Sequence, residues 1–323
     1  MAMPGRSRNV KQKRFGATGD GSTDDTAAIQ KAINDGGPTA THGTVEFPIG
    51  LYRISAPLLF EAATLNIRFV GEPGAKLITD TIADAILKRS VNSPIGGVHV
   101  IENLIFENNH PQGKCVLLHS CVTAKVANCQ FGGGAIGIET YNSQCATLDT
   151  CAFIGHKSVG VMAGNATTLL DCDITGCGMG VRHQNVGLVV HGGRFEVNQT
   201  GIGIGLNEKE PPGPFQTAGF DISGLSMEAN QTGILVGPGA AGKISACSIS
   251  GGVRMEYGLR MVSPQDVVVA GVSVGGSQGF AKAGIAVEAA TRVVMMGVSS
   301  NSPVAWALPS DRSNLTLIQC NNP

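Results

Sequence analysis

Glu196-Val-Asn-Gln-Thr-Gly-Ile202 and Glu228-Ala-Asn-Gln-Thr-Gly-Ile234 are nearly one phrase printed twice. Each extends leftwards into an apolar strand and rightwards into another, and fainter copies recur from about residue 100 onwards. Cys129, Cys151 and Cys172 stand 22 and 21 residues apart, and Gly193 follows after another 21. Leu225, Cys247, Val272 and Val298 continue at intervals of 32, 22, 25 and 26. Two positions beyond each comes Phe131, Phe153, Ile174, Phe195, Met227, Ile249, Val274 or Ser300, apolar in all but the last. A second apolar column follows a glycine, as in Gly180-Val181, Gly201-Ile202 and Gly233-Ile234.

Short β-branched strands separated by Gly, Asn and Ser turns at this period indicate a parallel β-solenoid. One coil cannot bury its own apolar side chains. A Val, Ile or Phe gains roughly 1.5–3 kcal/mol only when neighbouring coils seal the interior. The cysteine column then reads as a ladder of small hydrophobes, with thiols packed inside and inert.

Composition agrees. Of 323 residues, 42% are hydrophobic and 15% charged, so a continuous core is possible and the composition argues against disorder. The net charge of −1 gives no electrostatic support to a nucleic-acid groove. Nine cysteines, an odd number without a CxxC pair, argue against a disulfide framework and a zinc site, and no metal or cofactor is expected. No apolar run reaches the length of a membrane span. Residues 1–14 are basic and punctuated by Pro and Gly; they read as a flexible docking segment with no signal-peptide core.

Residues 15–34, Phe15-Gly-Ala-Thr-Gly-Asp-Gly-Ser-Thr-Asp-Asp-Thr-Ala-Ala-Ile-Gln-Lys-Ala-Ile-Asn34, lead into Val45-Glu-Phe-Pro-Ile-Gly-Leu-Tyr52. Thr23 or Asp24 suits a helix N-cap, and Ala28, Ile29, Ala32 and Ile33 form a helical stripe. This opening resembles the pectate-lyase-like superfamily, which includes many bacteriophage tailspikes and polysaccharide depolymerases. The resemblance implies an all-β, right-handed single-stranded parallel β-helix with a short N-terminal capping helix. Right-handed crossovers are also the general rule for parallel strands. The β-helix domain is set at 15–323, with the cap and first coils over 15–80 and regular coils over 100–320. Asp20, Asp24 and Asp25 read as turn and cap residues.

Period-two alternation assigns the outward side chains. Two columns result: Asp173–Arg194–Ser226, and Thr175–Glu196–Glu228–Ser250. Glu196 and Glu228 fall about 5 Å apart if stacked. At an effective dielectric of 20, charges at that spacing repel by about 3 kcal/mol, enough to keep one acid protonated to higher pH. A protonated acid beside an ionised partner is what glycosidic-bond cleavage requires. Glu196, Glu228 and Asp173 are therefore the candidate catalytic residues, with Arg194, Arg182, His183 and Glu139 as candidate substrate-binding residues. A lyase would instead need a base and a cation for the substrate carboxylate, a role open to Arg194 or Arg182. The alternative stays open that both glutamates are simply the solvated face of a repeat, with Asn198 and Asn230 forming an amide ladder in the turn. The long interval before Leu225 places an insertion at Asn207-Glu-Lys-Glu-Pro-Pro-Gly-Pro-Phe215, a candidate groove wall.

The resemblance implies two functions of different class. One is a virion tailspike-like homotrimer, made in a host cytoplasm, that binds a bacterial surface polysaccharide, with its cleavage as a hydrolase or lyase left open. Its residues 1–14 would dock to a tail or baseplate protein. The other is a non-enzymatic structural or receptor-binding virion protein of the same shape. A stand-alone polysaccharide lyase or hydrolase is a third. One Trp and three Tyr are few for a sugar-binding face.

Overall fold

The structure, a computed structural model, describes residues 7–35, 42–60, 66–89, 95–140, 143–183, 187–205, 219–252, 255–276, 280–301 and 306–321. The chain divides into two compact units, residues 1–162 and 163–323. Each is a parallel β-solenoid whose coils contribute one strand in turn to three parallel sheets.

In the first unit, the first-sheet strands Ile95–Glu102, Cys121–Ala127 and Ala146–Asp149 pair in parallel, with one register shift between Cys121 and Thr123, and the second-sheet strands Ile105–Asn108, Gln130–Gly132 and Ala152–Ile154 pair in register. Phe106 and Phe131 stack at 5.5 Å between ring centroids, and Phe131 and Phe153 at 4.7 Å. The apolar column read from the sequence is thus a pile of parallel rings in the core. Among the described residues the only α-helix is Thr26–Asn34, which buries Ile29, Ala32 and Ile33.

The N-terminal stretch departs from expectation. Ser7–Asn9 is a strand paired with Thr44–Glu46, Arg8 is buried with Nη1 donating to the Ile33 carbonyl at 3.1 Å, and Val10 is fully buried. Residues 7–14 are therefore ordered and not flexible, because Val10 has a core to enter and Arg8 a carbonyl to hold; residues 1–6 lie outside the described residues. The helix N-cap is Asp25, one residue beyond the expected position. Its buried carboxylate accepts from the Thr18 and Gly19 amides at 2.7 and 3.0 Å, while Asp20 accepts from the Ser22 and Thr23 amides. These aspartates are turn and cap residues, as read.

In the second unit, Asp173–Thr175, Arg194–Glu196, Ser226–Glu228, Ser248–Ser250, Ser273–Gly275 and Ser299–Ser300 form the second sheet in register. Ile174, Phe195, Met227, Ile249 and Val274 face inward, each at most 1% exposed. The cysteine column has a backbone cause. Between the first and second sheets one residue takes positive φ: Asn128 and Thr150 in the first unit, Asp171, Gly224, Ala246, Gly271 and Gly297 in the second. That residue turns the chain, and the next, Cys129, Cys151, Cys172, Leu225, Cys247, Val272 or Val298, drops into the core. Burial pushes the Cys129 thiol up to about 12, so it stays neutral. The Gly-Ile column also has its reason: a Cβ on Gly201 would lie 2.6 Å from the Gly233 carbonyl oxygen of the next coil.

Candidate functional site

On the outward face of the second sheet, in the second unit, Asp173 lies opposite Arg194, and Arg194 opposite Ser226. Thr175 lies opposite Glu196, Glu196 opposite Glu228, and Glu228 opposite Ser250. Both columns fall where the alternation puts them. The flanking Ile174, Phe195 and Met227 are pulled inward by the core, which forces their neighbours out.

Arg194 organises the charges. Its Nε donates to Asp173 Oδ1 at 3.2 Å and its Nη2 to Oδ2 at 3.0 Å, and Nη1 lies 3.8 Å from Glu196 Oε1. The bonds to Asp173, with the nearby carboxylates, hold the guanidinium further above its usual range. Arg194 and Glu228 are exposed, and Asp173 and Glu196 are half-buried. A ligand lying across this face meets a cation already committed to one carboxylate, and two further carboxylates on consecutive strands.

Behind the glutamates the turn is tied down by buried amide hydrogen bonds. Asn198 and Asn230 are buried at 2% and 0% exposure. Asn230 Nδ2 donates to the Phe195 carbonyl at 2.7 Å, and its Oδ1 accepts from Asn198 Nδ2 at 2.9 Å and from the Asn198 amide at 3.0 Å. Asn198 repeats the pattern one coil back, its Nδ2 donating to the Ile174 carbonyl and its Oδ1 accepting from the Cys177 amide. The amide ladder foreseen from the repeated Asn-Gln-Thr-Gly is present. Between glutamate and asparagine, Val197 and Ala229 adopt φ of 58° and 53° where the preceding coil has Gly176 at 68°. A β-branched residue there is strained, and Val197 is also 61% exposed.

The remaining candidates fare differently. His183 is fully buried, which corrects its placement among outward substrate-binding residues. Its partners on successive strands are Ile204, Val236, Met261 and Val287, so it occupies an interior column. Arg182, its neighbour, faces outward and half-buried, with Gly203 opposite. Glu139 belongs to the first unit and is bound to Lys114, Nζ to Oε2 2.6 Å. His191 is exposed, its Nδ1 2.9 Å from Ser223 Oγ. The 207–215 insertion lies outside the described residues.

One aromatic was missed. Tyr257, half-buried on the third sheet of the second unit, has Arg260 and Lys282 at 5.0 and 5.5 Å from its ring centroid. Arg260 is paired with Glu288 and Lys282 with Glu256. Its position opposite Thr232, just before the Gly258 column, was the available sign that it points outward.

Residues 7–109 match the family model described as rhamnogalacturonase A/epimerase, pectate lyase-like, and residues 92–212 match that of the right handed beta helix region. A segment of 74 residues is 43% identical to the non-secreted LysM effector LysM15 of Penicillium expansum; it is 20% of this chain and spans only 5% of that protein's length. Among solved structures, the mannuronan C-5 epimerase AlgE4 A-module of Azotobacter vinelandii superposes with a TM-score of 0.66 at 15% identity, over 98% of this chain and 95% of that one. A tailspike protein mutant of E. coli bacteriophage HK620, in complex with a hexasaccharide, gives 0.71 at 10% identity, over 97% and 64%. At these identities the likeness establishes the fold.

Proposed function

We propose that this chain, a right-handed parallel β-helix of the pectate-lyase-like kind, acts on a polysaccharide through the outward face that carries Asp173, Arg194, Glu196 and Glu228. The observation that carries the reading is the in-register pairing of Glu196 with Glu228 on the outward side of the second sheet. Adjacent strands lie about 4.8 Å apart, close to the carboxyl separation of about 5–5.5 Å used by retaining glycosidases. One glutamate would protonate the leaving oxygen while the other attacks the anomeric carbon. The product of that step, a glycosyl-enzyme ester, would then be hydrolysed by water that the first residue deprotonates. Arg194 is held by Asp173, which favours this hydrolytic reading over a lyase, where the cation must be released to the substrate's carboxylate. The AlgE4 module and the hexasaccharide-bound tailspike support a carbohydrate ligand by analogy of fold alone.

The test is incubation with neutral and uronate-containing bacterial polysaccharides. New reducing ends without unsaturated sugar are expected. Unsaturated ends would replace the hydrolase by a lyase, and neither product with any polymer that binds would overturn catalysis.

A second reading, a binding spike in a virion that assembles as a homotrimer, draws support from the tailspike likeness. Light scattering behind a sizing column tests it: a trimer supports the spike, and a monomer counts against it.

A further inference from the structure

Among the described residues, Val197 is the only large apolar side chain at positive φ. Its φ of 58° is one that glycine adopts readily and a β-branched residue rarely, and 61% of its surface is exposed. The fold does not ask for valine there. The same place is held by Gly176 one coil back, at φ 68°, and by Ala229 one coil on, at φ 53°. The isopropyl group is thus strained without being buried, and strain of this kind clusters at ligand-binding and catalytic sites. Its location agrees. Val197 follows Glu196 directly, and its amide donates to the Glu228 carbonyl at 3.0 Å, so it ties the ends of both glutamate strands at one corner. The outward columns beside it, Asp173–Arg194–Ser226–Ser248 and Thr175–Glu196–Glu228–Ser250, are polar or charged at every position.

We propose that Val197 is a specificity-determining contact: it receives the methyl group of a methyl-bearing sugar, a 6-deoxyhexose or an N-acetylhexosamine, beside the Glu196/Glu228 pair. An isopropyl group is too small to act as the broad platform that an aromatic ring offers to a sugar's C–H face, and it suits a single methyl group. Taking that methyl out of water is worth about fourfold in affinity. The polar columns on the same face leave donors and acceptors for the sugar's hydroxyls. The proposal rests on the polysaccharide reading and adds which class of sugar the face prefers.

NMR titration of the whole chain, labelled at its valine methyl groups, tests it; the Val197 signals are those absent from Val197→Ala. L-fucose is compared with L-galactose, and N-acetylglucosamine with glucose. At least one methyl-bearing sugar should shift the Val197 signals saturably and bind about fourfold tighter than its methyl-free counterpart. The pair that responds tells whether the methyl is 6-deoxy or N-acetyl. Val197→Ala should abolish that preference, read by saturation transfer to the sugar, while Tm holds or rises, since Ala229 fills the same turn position in the next coil. Unmoved Val197 signals with both methyl-bearing sugars, equal binding of their counterparts, or a preference that survives Val197→Ala overturns the contact. On a polymer that the chain cleaves, Val197→Ala should raise KM about fourfold. A fall in kcat with KM kept would make Val197 a positioning residue for Glu196 and overturn the contact as well. New reducing ends with unmoved Val197 signals leave the Glu196/Glu228 reading intact. Moved signals without cleavage of any polymer keep the contact and defeat the acid–base role of the glutamates.

Discussion

Arg194 reaches back one coil to grip Asp173 with two hydrogen bonds, of 3.2 and 3.0 Å, while keeping Glu196 3.8 Å from its other terminal nitrogen. One cation therefore links both outward columns. Arg194→Ala should release Asp173 and Glu196 to repel each other and lower polysaccharide turnover at least about tenfold. The pair is solvent-exposed, so the melting temperature should barely move. Turnover assays beside thermal unfolding separate the two effects; unchanged turnover would remove Arg194 from the site.

Asn230 holds the turn behind Glu228 through bonds to Phe195 and Asn198. Asn230→Ala would strand the buried Phe195 carbonyl and the Asn198 amide. A loss of about 2–4 kcal/mol is expected in denaturant unfolding.

Val197 sits in a left-handed turn at φ 58° with its side chain largely in solvent. Val197→Gly should stabilise the chain by about 1 kcal/mol, since relief of the steric cost outweighs glycine's extra freedom when unfolded. A raised urea midpoint checks this. Coincident loss of turnover would mean that the strained turn also positions Glu196.

His99 and His156 are buried in the first unit, and burial lowers both to about 4 from 6.5. The Arg89 charge adds to the effect at His99. Both imidazoles stay neutral in the folded chain down to about pH 4, whereas the unfolded chain takes up those protons near 6.5. Their stabilising contribution is complete above 6.5 and is lost as pH falls towards 4, on the order of 3 kcal/mol for each. Denaturant melts across this window should show stability falling with pH, and His156→Leu should flatten the slope.

The architecture was legible because its signals are local and repeated. Positive φ followed by an inward residue recurs in most coils, so the cysteine, phenylalanine and glycine columns could be aligned by counting, and the two outward columns followed from alternation. His183 was misplaced because its chemical type was weighted above its position. Alternation from Val181 points it inward, where later coils place Ile204 and Val236. Arg8 and Val10 were lost in a basic run, where Val10 among polar neighbours was the sign of a strand. The engagement of Glu139 by Lys114 and of Arg194 by Asp173 depends on side-chain reach between coils, which spacing along a sequence does not specify.

The central claim is that Glu196 and Glu228 act as a pair on a polysaccharide. The most direct measurement is kcat/KM of Glu196→Gln and Glu228→Gln, each made alone, on a polymer that the wild-type chain cleaves. Both variants should lose at least about a hundredfold, the contribution typical of a positioned acid or base, with unfolding curves unchanged. Retained turnover in both would contradict the account and identify the glutamates as the solvated face of a repeat.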